Sequence, residues 1–220
     1  MNNNTLYRID KRDWIYDKQK LKLPKTTYNE QHRAFWQSEA FELKNSCSIH
    51  GCITAITNQY PSVTFSLEDR KDILVMATER GFSSEWGWYM ASAVKCVADY
   101  CRINKGIDLK YYRVNWKHFR KLTKLGFGVV TGFKIRDNFG KDRFDDGELN
   151  GSGGIYGDTK YGHLISLWSV GLSKWYQRLV YVDNYANKHR LNETKINHRH
   201  LAKLVADDVL FSNGYIYSLK

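Results

Sequence analysis

The sequence predicts an α+β fold in which a helical half precedes a strand-rich half. Three observations carry this expectation. Between Cys52 and Leu125, apolar residues recur at helical spacing in segments cut by Pro61, Gly81 and Gly126. From Phe127 onward the apolar segments are short and rich in β-branched and aromatic residues. Helices followed by strands, rather than alternating with them, argue against a doubly wound parallel sheet.

The elements follow in order. Residues 1–44 show little period and are broken by Leu23-Pro24, so they are expected to form an extended arm wrapping the fold. Cys52 to Gln59 has small and apolar residues at helical spacing and ends before Pro61. A second helix is predicted from Leu67 to about Arg80, stopped by Gly81. A third covers 88–103, with Met90, Ala93, Val94, Val97 and Ala98 on one face. Asn115 is a candidate cap for a fourth, from Trp116 to Leu125, stopped by Gly126. Strands are predicted over Phe127–Ile135, His163–Val170, Leu179–Val182 and Tyr215–Tyr217. The expected division is therefore an arm (1–44), a helical lobe (45–125) and a β-rich lobe (126–220).

Asp137 to Lys160 is a long polar connection rich in Gly and Asp, read as a flap near the site. Its Asp142, Asp145 and Asp146 do not match calcium-loop spacing.

Composition bounds the function. The chain has 220 residues, 42% hydrophobic and 26% charged, enough for a sizeable core without disulfide staples. No apolar run reaches the roughly 20 residues of a membrane span, and the polar start Met1-Asn2-Asn3-Asn4-Thr5 is unlike a signal peptide. A cytoplasmic or virion-associated protein, with no membrane partner, is expected. The net charge of +11 favours an acidic partner, whether nucleic acid, an anionic cell-wall polymer or an acidic protein. That charge is spread over 18–20, 117–124 and 188–203 without a nucleic-acid motif, so it reads as solvated surface, with nucleic acid bound only nonspecifically. Trp86, Trp88 and Trp168 could line a groove, with core packing the plainer reading.

Cys47, Cys52, Cys96 and Cys101 are expected to be thiols. A catalytic thiol needs a base, a group that orients the base, and oxyanion donors. A helix N-terminus also favours the thiolate. Gly51 breaks what precedes it, so Cys52 opens a helix, whereas a helix opening at Cys47 would have to run through Gly51. Cys52 is the nucleophile predicted on those grounds. His163 follows a glycine and opens an apolar strand, where it could reach a cleft as base. Asp183 and Asn184 follow the next strand, and either could accept the imidazole N–H. The rival reading of Cys47, His50 and Cys52 with His198 and His200 as a zinc site lacks two separated ligand pairs, so neither metal nor cofactor is expected.

The order Cys, His, Asn resembles the papain-like cysteine peptidases, especially phage-encoded and bacterial members. Gly51-Cys52-Ile53-Thr54-Ala55 is similar to their nucleophile motif. Tyr161-Gly162-His163-Leu164-Ile165 is similar to their Gly-His-apolar strand, and Val182-Asp183-Asn184-Tyr185-Ala186 to their Asn element, with Tyr in place of Trp. Phe127–Phe133 resembles the strand preceding the active-site His, and Lys11-Arg12-Asp13-Trp14 with Leu23-Pro24 the N-terminal arm.

The resemblance implies a two-lobed fold, a helical lobe with Cys52 and a β-barrel-like lobe with His163 and Asn184, flanking a cleft. It implies thiol-dependent amide hydrolysis of a protein or peptide substrate, an anionic cell-wall peptide among the candidates. The family's oxyanion Gln, about six residues before the Cys, is replaced by Ser46, with Asn45 beside it as the other donor candidate. That departure keeps open an alternative, a weak or inactive papain-fold protein with a binding or structural role among virion proteins.

Overall fold

The computed structural model describes residues 43, 45–85, 87–136, 159–171, 177–182, 191–194, 202, 205–206 and 210–220. The expected arm and flap lie outside the described residues, apart from Leu43 and the pair 159–160.

The first helix, α1 (Cys47–Gln59), is five residues longer at its start than its apolar period predicts. Gly51 lies inside it, not ahead of it. A helical glycine costs about 1 kcal/mol relative to alanine, which tertiary burial overrides here. Every α1 residue except Cys47 and Asn58 is buried. The helix packs against α3, β2 and β3, and so forms the centre of the molecule.

Helix α2 (Leu67–Glu79) opens with a reciprocal cap. The Asp69 N–H donates to Ser66 Oγ at 3.0 Å and the Ser66 N–H to Asp69 Oδ2 at 2.7 Å. Only Arg70, Ile73 and Ala77 of α2 are buried, a narrow stripe one side wide. Helix α3 (Met90–Lys105) buries the predicted face and ends at Gly106 in the left-handed conformation, φ 64°. The predicted fourth helix begins as a 3-10 turn (Trp116–His118), where Asn115 Oδ1 accepts from the Lys117 N–H at 3.2 Å, and continues as α4 (Phe119–Lys124).

Six strands form one antiparallel sheet in the order β1-β6-β2-β3-β4-β5. They are β1 (Leu109–Asn115), β2 (Val129–Arg136), β3 (Thr159–Gly171), β4 (Gln177–Val182), β5 (Leu191–Thr194) and β6 (Asn213–Leu219). The helices-then-strands order holds, with two additions. β1 and β5 are edge strands that the sequence pattern did not separate from their surroundings. The sheet is open, with β1 and β5 at its edges, rather than barrel-like as expected.

β6 lies between β1 and β2, and five consecutive residues, Gly214 to Ser218, are buried. The sheet is fastened to α1 at two points. Gln59 donates from Nε2 to the Tyr217 carbonyl at 2.7 Å and accepts the Gly128 N–H on Oε1 at 3.1 Å. Beside it the Gly128 backbone approaches α1 so closely that a Cβ there would lie 2.7 Å from the Ala55 carbonyl oxygen.

Candidate nucleophile site on helix α1

The N-terminus of α1 belongs to Cys47. Ser46 is its N-cap and Cys47 its first helical residue. The first-turn amides of a helix have no partner within the helix and face outward along its axis, so an anion there is stabilised. No acidic side chain occupies that turn to compete for them. Cys47 is half-buried and packs on the edge of the core formed by α1 and α3.

The chain entering α1 is tightly held. Asn45 has φ 62°, the single non-glycine residue with positive φ among the described residues. That region costs a non-glycine residue energy, least of all Asn, and such residues concentrate at functional sites. Asn45 Nδ2 donates to the Ser84 carbonyl at 2.6 Å. Ser46 is fully buried and its hydroxyl donates to the Leu43 carbonyl. Both side chains predicted as oxyanion donors are thus engaged in shaping the turn.

His50 lies one turn into the helix and is fully buried. Its Nδ1 is 2.9 Å from Ser46 Oγ and 3.0 Å from the Ser46 carbonyl oxygen, while its Nε2 has no partner among the described residues. Burial is the main influence on the ring and depresses its pKa to about 4; the Ser46 contact opposes this and the Arg70 guanidinium adds to it. His50 is neutral at pH 7.

Cys52 does not open a helix. It is the sixth residue of α1, 0% exposed, in a core cluster with Cys96, Cys101 and Tyr217. Burial pushes its thiol up to about 12, offset in part by a hydrogen bond with the Tyr217 phenol. Cys96 and Cys101 are pushed up by burial to about 11 and 12. The expected helix start at Cys52 is corrected: α1 begins five residues earlier, and the Cys52 thiol is sealed from solvent. Sequence reasoning placed the helix start too late by giving Gly51 the weight of a helix stop. The signal that could have found it is Asn45-Ser46, two residues suited to the entry turn and cap of a helix.

His163 is the fifth residue of β3, opposite Phe133 on β2, and so sits within a strand rather than at its start. β3 is the strand on which α1 packs. β4 ends at Val182, opposite Ser166, and Ser166 lies three residues beyond His163. Asp183 and Asn184, next in the chain, lie outside the described residues. Backbone topology therefore brings the strand bearing His163 and the strand leading into Asp183-Asn184 side by side, with α1 across the first of them. Among the described residues no cluster of three or more His, Cys, Asp or Glu is arranged to hold a metal ion.

Helices followed by an antiparallel sheet packed on a central helix give this chain a papain-like fold. The solved structure of xylellain, a cysteine protease from Xylella fastidiosa, superposes with a TM-score of 0.66 over 96% of this chain and 93% of that one, at 12% identity. No protein-family model and no curated protein matches the sequence.

Proposed function

We propose that this protein is a thiol-dependent peptidase of the papain-like type, with Cys47 as nucleophile, His163 as its base, and Asn184 or Asp183 orienting the imidazole. The observation that carries this is the position of Cys47, a partly exposed thiol at the first residue of the central helix of a papain-like fold. The other three cysteines are buried and held as neutral thiols.

The chemistry follows from the positions. The Cys47 thiolate, stabilised by the α1 amides, attacks a substrate amide carbonyl. The oxyanion that forms draws on backbone N–H groups at the same helix end. His163, as imidazolium, returns its proton to the leaving amine. Water then hydrolyses the acyl-enzyme with His163 acting as base. Substrates are proteins or peptides, and the +11 charge favours acidic ones.

A second reading rests on one residue. Counting six positions back from Cys47, the place of the family's Gln is taken by Phe41, which carries no side-chain donor. Loss of one oxyanion donor costs on the order of 10²–10³ in rate. A papain-like scaffold kept for binding fits that deficit.

Alkylation by iodoacetamide at pH 6, with the modified site read by mass spectrometry, separates these readings. An unassisted thiol with a pKa near 8.5 is well under ~1% ionised at that pH. The peptidase reading expects rapid, selective modification of Cys47 that is lost in His163→Ala. Slow modification of Cys47, equal in wild type and His163→Ala, leaves the binding scaffold. Preferential modification of Cys52 would overturn the choice of nucleophile.

A further inference from the structure

The buried imidazole of His50 has no part in the acyl-transfer steps above, yet it touches the residue next to Cys47. Two observations fix its chemical form. Nδ1 lies within hydrogen-bond distance of two Ser46 oxygens. The first is a carbonyl, which can only accept. The second is a hydroxyl whose proton is directed to the Leu43 carbonyl, so it too accepts from the ring. Nδ1 must therefore carry a proton. Nε2 is then a bare lone pair in the core, without a partner among the described residues. An orphan buried acceptor is unfavourable, and a leucine or phenylalanine would fill a core site without incurring it. What the imidazole supplies in return is the Nδ1–H.

The residue it holds sits at a junction. The Ser46 carbonyl also accepts the N–H groups of Ile49 and His50, each at 3.0 Å, the opening bonds of α1. Its own N–H donates to the Leu43 carbonyl at 3.2 Å. On one side stands Asn45, in its left-handed conformation and tied to Ser84; on the other stands Cys47.

From this geometry we infer that His50 is a positioning residue, a neutral Nδ1–H clamp on Ser46 that fixes the turn from which Cys47 enters the helix. The inference rests on the reading of Cys47 as nucleophile for its use in catalysis, though not for the clamp itself. Of the charged groups around the ring, Arg70 of α2 acts on it directly and favours its neutral form. The clamp is therefore intact at the pH values where a thiolate peptidase works.

The first test uses the unaltered protein. Nitrogen-15 NMR of the His50 imidazole at pH 5–7 is expected to show a proton on Nδ1 and none on Nε2. An Nε2–H tautomer, or an imidazolium at pH 6, overturns the inference.

The second test compares His50→Leu, which removes the donor, with His50→Asn, whose Nδ2 stands close to the position of Nδ1. Amide hydrogen exchange at Ser46, Ile49 and His or its replacement at 50 is expected to quicken about tenfold or more in the Leu variant and to return in the Asn variant. Alkylation of Cys47 at pH 6 is expected to slow about 10- to 100-fold in the Leu variant. At pH 9, where any accessible thiol is largely ionised, it should change less than about twofold. Unchanged exchange in the Leu variant, or no recovery with Asn, overturns the clamp. Faster exchange in the Leu variant, with Cys47 already inert at pH 6 in wild type, upholds the clamp while removing the peptidase reading.

Discussion

The Cys52 thiol hydrogen-bonds the Tyr217 phenol, and the Tyr217 hydroxyl donates to the Val94 carbonyl at 3.1 Å. Helix α1, strand β6 and helix α3 meet at that point, with all three residues fully buried. Cys52 is placed to act as a packing residue. Cys52→Ala is expected to lower unfolding free energy by about 1–2 kcal/mol, through a small cavity and a lost partner for the phenol. Peptidase activity and Cys47 labelling should persist. Chemical denaturation alongside a labelling assay checks both, and loss of labelling with the fold intact would return the nucleophile role to Cys52.

Cys47→Ser and His163→Ala should each reduce amide hydrolysis by a factor on the order of 10⁴ or more, because members of a catalytic unit fail together rather than additively. The double variant is expected to be little worse than either single one. Circular dichroism and thermal unfolding should be within the range of ordinary surface substitutions for Cys47→Ser. Turnover of a fluorogenic peptide provides the measurement.

Gln59 ties α1 to β6 and to the residue that leads into β2. Gln59→Leu removes both hydrogen bonds and strands the Tyr217 carbonyl and the Gly128 N–H in the core. A loss of about 3–4 kcal/mol is expected, since each orphaned group carries its own desolvation cost. Gly128→Ala should be at least as damaging, because its Cβ meets α1 backbone rather than a movable side chain. Urea unfolding midpoints test the pair.

His50 links stability to pH. Its pKa is near 6.5 when unfolded and about 4 when folded. Below pH 6.5 the unfolded chain takes up a proton that the folded chain refuses, so stability falls as pH falls from 6.5 to about 4, then levels off. The full loss is about 3 kcal/mol. Unfolding curves between pH 4 and 8 should show wild type losing stability relative to His50→Asn as pH falls below 6.5. A wild-type curve with no slope attributable to His50 would contradict its neutral burial.

Asp69 acts in a lower window. Burial would raise its pKa, but the Lys105 ammonium, the Ser66 amide and hydroxyl and the Tyr100 hydroxyl together hold it at about 2. Its folded pKa lies below the unfolded value of 3.8, so its stabilisation is present above pH 3.8 and disappears as pH falls towards 2. Asp69→Asn should cost about 1–2 kcal/mol at pH 7, through the lost cap and ion pair, and nothing further below pH 2. Thermal unfolding of the two proteins at pH 7 and pH 2 makes the comparison.

Much of this architecture is legible in the residues. The buried stripe of α3, the stop at Gly81 and the Asn115 cap follow from period and capping chemistry alone. What the sequence conceals is context. Gly51 weakens a helix locally, yet burial on nearly every side keeps α1 intact through it, so the helix start moved and the thiol at its end changed from Cys52 to Cys47. β1 is hidden because its buried residues, Leu109, Tyr112 and Val114, do not alternate regularly, and β6, which pairs with it, lies about a hundred residues away. β5 is four residues long, too short to carry a period. The site was half legible for the same reason: which residue types take part is local, and which of two cysteines stands at the helix end is decided by packing.

The placement of β6 between β1 and β2 also orders events in time. During translation α1 and α3 emerge long before the strand whose Tyr217 fills the space between them, and β1 waits for its neighbour throughout. The α1 side that Tyr217 covers is therefore completed only when β6 docks between β1 and β2.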